Sequence, residues 1–158
     1  MQYHSRRYGK GPRQVLAIHC TLAHSGAWRG LADAMGAGLT INAYDMPSHG
    51  KSPDWDGTGD LHDLVTAWGH DMLSEPMDVI GHSFGAIVAL RLAAEAPERV
   101  RSLTLIEPVA FAFVAADDPA KVEEYRLRNL DFDAAMQAGD KMQAARSFNR
   151  GWGNGVPW

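Results

Sequence analysis

The stretch Val79-Ile80-Gly81-His82-Ser83-Phe84-Gly85-Ala86 constrains the fold of this chain more than any other. An apolar run ends in G-x-S-x-G and passes at once into the helix-like segment Ile87 to Glu95. A strand that turns this sharply into a helix holds its central residue in strained backbone geometry, and glycines two positions either side leave room for the turn. Ser83 then stands at the tip with its hydroxyl lifted off the strand end. The first turn of the helix aims backbone N–H groups at whatever Ser83 attacks. Taken alone, the same pentapeptide is also a tight connection with a capping serine. Strand before, helix after and two further motifs upstream favour the nucleophile.

The rest of the chain supplies the layers such a turn needs. Gln2 to Tyr8 reads as a short edge strand closed by Gly9-Lys10-Gly11-Pro12, and Val15 to Ile18 as a compact apolar strand. Ser25 or Gly26 opens a helix through Trp28, Leu31 and Met35 that ends at Gly36 and Gly38. Leu39 to Tyr44 is the next strand, and Asp60 caps a helix carrying Leu61, Leu64, Val65, Trp68 and Met72 at three- and four-residue spacing. Met77 to Ile80 is the strand under the turn, Phe84 to Ala96 its helix, and Val100 to Ile106 a further strand ended by Glu107-Pro108. Alternating strands and helices predict an α/β fold with a parallel sheet flanked by helices on both faces.

From Asp117 the charge density rises, and Lys121 to Leu130 and Asp131 to Ser147 read as amphipathic helices, followed by a flexible tail from Gly151 to Trp158. The expected division is a core over residues 1–115 and a partial helical cap with tail over 116–158. A helical insert of this kind can exclude water from a site; it can equally be a plain packing pair.

Composition narrows the functional classes. The 158 residues carry a net charge of −4, with 46% hydrophobic and 22% charged residues, which fits one globular domain and gives no basic nucleic-acid surface. A single cysteine, Cys20, rules out an intrachain disulfide, and the chain shows neither an apolar leader nor a membrane-length run. A cytoplasmic protein is expected, with no membrane or nucleic-acid partner. His62 and His70 lie eight apart, not at helical metal-site spacing, and no dinucleotide or phosphate loop is complete, so no metal and no cofactor is implied.

Together, His19-Cys20-Thr21, Asp45-Met46-Pro47-Ser48-His49-Gly50-Lys51-Ser52, Gly81-His82-Ser83-Phe84-Gly85 and Leu105-Ile106-Glu107-Pro108 resemble the α/β-hydrolase family. The closest likeness is to its esterase, haloperoxidase and C–C hydrolase branch with a helical cap. The resemblance runs from about residue 13 to 115. It implies Ser83 as nucleophile and the backbone N–H groups of Phe84 and Thr21 as oxyanion hole, with His19 in a structural role. Cys20 and Ser48 stand where the family usually has glycine.

The family's chain order of nucleophile, acid and histidine breaks down after Ser83, because every histidine lies at or before position 82. A serine hydroxyl without a base is a poor nucleophile at neutral pH. Glu107 occupies the place of an acid used in some branches; its alternative role is to tie down a loop N–H before Pro108. The economical expectation is an α/β-hydrolase fold incomplete on its C-terminal side. The strand before Glu107 would then be an open edge that a second chain or a second copy covers. The expected activity is hydrolysis of a small hydrophobic ester-like or C–C bond substrate. The competing readings are a non-catalytic binding protein on a hydrolase scaffold and an inactive fragment.

Overall fold

A computed structural model describes residues 3–152. Five strands, β1 (Ser5–Gly9), β2 (Arg13–Ile18), β3 (Leu39–Tyr44), β4 (Met77–His82) and β5 (Val100–Ile106), form one sheet in the order β1-β3-β2-β4-β5. Strands β2 to β5 are parallel, and β1 pairs antiparallel to β3 at one edge. The helices are α1 (Arg29–Met35), α2 (Leu61–Met72), α3 (Phe84–Glu95), α4 (Phe111–Asp117), α5 (Pro119–Arg128), α6 (Leu130–Gln137) and α7 (Lys141–Trp152). The expected parallel α/β layer is present, with β1 its one antiparallel member.

The alternation of side chains along a strand explains the two cores. Leu16 and Ile18 of β2 point to one face, where they meet Val79, Val65, Trp68, Val88 and Leu92 beneath α2 and α3. Val15 and Ala17 point to the other, where they meet Ile41, Ala43 and Trp28, with Leu31 and Ala32 of α1 packed on top. Cover is incomplete at β5, where Ser102, Thr104 and Ile106 are exposed. The helices that cover the first face are tied to each other. Arg91 of α3 reaches Asp63 at 2.5 Å and Glu95 at 2.6 Å, and His70 of α2 meets Glu95 at 2.8 Å. The Asp60 carboxylate accepts from Asp63 N–H at 3.0 Å, the cap that starts α2.

The chain divides into two compact units, Met1–Val109 and Ala110–Trp158. The second is entirely helical in its described part, and it differs from the sequence expectation in two ways. Phe111–Asp117 forms a helix of its own, and the helix expected over 131–147 is two. The break comes at Gly139, which adopts φ 72, and Asp140 then opens the next helix by accepting from Gln143 N–H at 2.9 Å. Gly151 and Trp152 end α7; the rest of the expected tail, residues 153–158, lies outside the described residues.

Candidate active site

In a parallel sheet, the loops that leave the carboxyl ends of adjacent strands meet at one rim, where ligands of such folds bind. Strand β4 lies between β2 and β5, with Gly81 opposite Ile18 and His82 opposite Ile106. Ser83, the loop after β2 that carries Thr21, and Glu107 after β5 therefore share this rim.

Ser83 is the pivot. Its φ of 55° and ψ of −116° put a non-glycine residue in a disfavoured region, at a cost of about 1–3 kcal/mol. The surroundings hold it there: Ser83 N–H donates to the Ile106 carbonyl at 2.9 Å, and its own carbonyl accepts from Ala86 N–H at 3.0 Å as α3 begins. A Cβ on Gly81 would fall 2.2 Å from the Gly85 carbonyl oxygen, and one on Gly85 would fall 2.4 Å from the carbonyl oxygens of both Ile18 and His19. Neither position has room for a side chain. The close approach at Gly85 sets the first turn of α3 against the main chain from which the Thr21 loop departs.

Ser83 is half-buried, and its hydroxyl makes no capping hydrogen bond. Phe84 N–H, the first amide of α3, has no acceptor within the helix, and the helix dipole adds positive potential there. The Phe84 ring stands edge-on to His62 at 5.7 Å, and His62 Nδ1 lies 3.1 Å from Arg91.

The Thr21 loop is held by histidines whose partners are far away in sequence. His19 is buried, accepts from Met46 N–H at 2.9 Å through Nε2 and, with Nδ1 protonated, donates to the Cys20 carbonyl at 2.8 Å. Burial pushes its pKa down to about 4, so it is a neutral clamp at neutral pH. His49 holds the next turn, accepting from Leu22 N–H at 3.2 Å and facing the Pro47 carbonyl at 2.7 Å through Nδ1. Asp45 adds a third tie, accepting from Ser25 N–H at 2.6 Å and Lys51 N–H at 2.8 Å. Burial raises the Asp45 pKa, but the hydrogen bonds from Ser25 and Lys51 more than offset this and hold it below the usual carboxylate range. Burial also raises the Cys20 thiol pKa, away from a reactive thiolate.

Glu107 follows β5 at this rim. It takes φ 46, its side chain is 86% exposed, and Oε2 lies 3.7 Å from His82 Nε2. Among the described residues its carboxylate accepts no hydrogen bond from a loop N–H. The structure therefore brings Ser83, Phe84 and Thr21 to one rim and turns Glu107 toward His82. Sequence reasoning missed His49, Asp45 and the His82–Glu107 pair; the Asp45–Ser52 motif was the available signal for the first two. No group of three or more His, Cys, Asp or Glu side chains among the described residues could hold a metal ion. No described helix is long and apolar enough to cross a membrane.

In the helical unit, aromatic rings follow one another: Phe111 to Tyr125 at 4.4 Å, Tyr125 to Trp152 at 6.1 Å, Trp152 to Phe148 at 6.4 Å and Phe148 to Phe132 at 6.1 Å. Phe111, Tyr125, Phe132 and Phe148 line a groove of about 400 Å³. Phe113, Met136 and Met142 are more than half exposed.

Known proteins agree with this architecture. The description "Alpha/beta hydrolase family" matches residues 15–157. The chain is 38% identical over 109 residues to Lipase LipV of Mycobacterium tuberculosis, covering 66% of this chain and 41% of that protein. It is 35% identical over 124 residues to a pimeloyl-[acyl-carrier protein] methyl ester esterase of Nitrosomonas europaea, covering 78% and 48%. Among solved structures, a Paleococcus ferrophilus monoacylglycerol lipase superposes with a TM-score of 0.63 at 23% identity, covering 75% of this chain and 53% of that one. The chain thus spans about half the length, or less, of these two sequence relatives. By the family match and the sheet that carries the Ser83 turn, this chain belongs to the alpha/beta hydrolase family.

Proposed function

We propose that this chain carries the nucleophile and oxyanion-binding half of a serine hydrolase acting on a small hydrophobic ester-like or C–C bond substrate. Ser83 Oγ attacks the carbonyl carbon, and the amides of Phe84 and Thr21 receive the negative charge that develops on the carbonyl oxygen. The observation that carries this reading is the strained backbone of Ser83, next to the unpaired first amides of α3. Strain on a half-buried serine with no capping bond has no structural benefit to offset it, whereas it serves to present a nucleophile.

The proton on Ser83 needs an acceptor. His19 and His49 are engaged in loop clamping, His62 faces Arg91, and His82 faces Glu107. The general base in this proposal is a histidine beyond these residues, and Glu107 orients His82 or serves as the acid. The helical unit takes the cap role, its aromatic groove suiting an apolar acyl group. The relatives named as lipase and methyl ester esterase support ester chemistry over C–C cleavage.

A non-catalytic binding protein remains the second reading, favoured by the lack of a base at Ser83. Hydrolysis of short-chain aryl esters, with and without exogenous imidazole as substitute base, separates the two. Imidazole-dependent turnover above the solution rate that disappears in Ser83→Ala supports the hydrolase. Equal rates for both proteins at every imidazole concentration support the binding protein.

A further inference from the structure

We propose, resting on the serine-hydrolase reading above, that His62 is a positioning residue for the Ser83 turn. It clamps the ring of Phe84, the residue whose amide adjoins Ser83, and it does so in one tautomer, which Arg91 selects.

A guanidinium can only donate, so the 3.1 Å contact from Arg91 Nη1 makes His62 Nδ1 the acceptor and leaves the ring proton on Nε2. Nε2 is closed off from solvent and meets no hydrogen-bond partner among the described residues. A buried N–H left without any acceptor is costly, so its surroundings matter. Its aromatic neighbour is Phe84, with ring centroids 5.7 Å apart and the planes at 76°. The negative face of an aromatic ring is a weak acceptor for such a donor. The Nε2–H therefore rests on the Phe84 ring.

Both ends of this contact are held. Phe84 and Arg91 lie seven residues apart on α3, two turns along one side, and His62 of α2 touches both. Arg91 also donates through Nε to Glu95 at 2.6 Å and through Nη1 to Asp63 at 2.5 Å, so the group that selects the tautomer is itself fixed. Two turns beyond His62 on the same side of α2, Gly69 lets α3 come close: a Cβ there would fall 2.7 Å from Leu92 Cδ1. The Phe84 ring packs on the core cluster that contains Leu92. The Phe84 amide, first of its helix, has no intrahelical acceptor to aim it. The ring contact is thus a side-chain hold on a residue whose main chain follows the strained Ser83.

Two measurements on the chain as it stands test this. Long-range proton–nitrogen correlation spectra of the histidine rings should show His62 protonated on Nε2 and bare on Nδ1. Its Nε2–H should be slow to exchange and shifted upfield by the Phe84 ring current. That shift should vanish in Phe84→Leu, and in Arg91→Met the ring should divide between both tautomers. The second measurement is the rate at which a fluorophosphonate labels Ser83 at fixed imidazole. His62→Leu, which keeps the bulk but loses both polar contacts, should slow labelling about threefold. His62→Gln, which keeps an N–H near the Nε2 position, should stay close to wild type, the reverse of what simple apolar packing would give. A proton on Nδ1, or a Nε2–H resonance indifferent to Phe84→Leu, would overturn the clamp. Equal labelling of wild type and His62→Leu would overturn the positioning role. A wild type that takes no label at all sinks the hydrolase reading instead, and the ring spectra still decide the clamp.

Discussion

The two compact units of this chain are held together in opposite ways. In Met1–Val109 the sheet has a dense apolar layer on each face, with Leu16, Ile18, Tyr44, Val65, Val88 and Leu92 removed from solvent. Among the described residues of Ala110–Trp158 only Ala135 and Ala144 are buried, while Leu127, Leu130, Met136 and Met142 are largely exposed. Both are rich in apolar residues, yet the first uses them for a core and the second leaves many of its described ones exposed. A sheet gathers residues distant in sequence into one layer, whereas four short helices with two buried alanines depend on local hydrogen bonds and ring contacts. The first unit can therefore hold a strained serine.

The sharpest way to break this comparison is at Gly85. Gly85→Ala places a methyl against two main-chain carbonyls that cannot yield, so it should cost about 4 kcal/mol, read as a large fall in the urea midpoint. Leu92→Ala, a cavity beneath the sheet, should cost about 3 kcal/mol, whereas Leu127→Ala in the helical unit should stay within about 0.5 kcal/mol. Equal costs would show that the second unit has a core of its own.

Acid should act on the first unit through His19. Its folded pKa lies near 4, below the unfolded value of 6.5, so the unfolded chain binds more protons between those limits. The His19 contribution is complete above pH 6.5 and is lost as pH falls toward 4, by at most about 3 kcal/mol. Urea titrations at pH 7.0, 5.5 and 4.5 should show this slope, and His19→Gln should flatten it. One change should bring a gain: Ser83→Gly relieves a positive φ and should raise stability by about 1 kcal/mol.

Much of the fold was legible because local signals agreed with it. The Gly81–Gly85 spacing, the Asp60 cap and the alternating apolar runs each report a constraint within a few residues. The parts that were missed depend on longer reach or on competing local signals. Phe111-Ala-Phe-Val has no cap residue before it to mark a helix start, yet Phe111–Asp117 is helical. The apolar period across 131–147 hides the break at Gly139. His49 became informative only when Leu22, 27 positions earlier, was seen to donate to it. Glu107 was readable as a residue at the rim, but its turn toward His82 follows from a φ of 46° that no residue type announces.

Whether residue 83 is a nucleophile waiting for its base can be measured by incubating the chain with a fluorophosphonate at several imidazole concentrations and locating the adduct by mass spectrometry. The account predicts one adduct, on Ser83, whose rate of formation rises with imidazole and which is absent from Ser83→Ala. No adduct on Ser83 at any imidazole concentration, or labelling spread over other serines at the same rate, would contradict it.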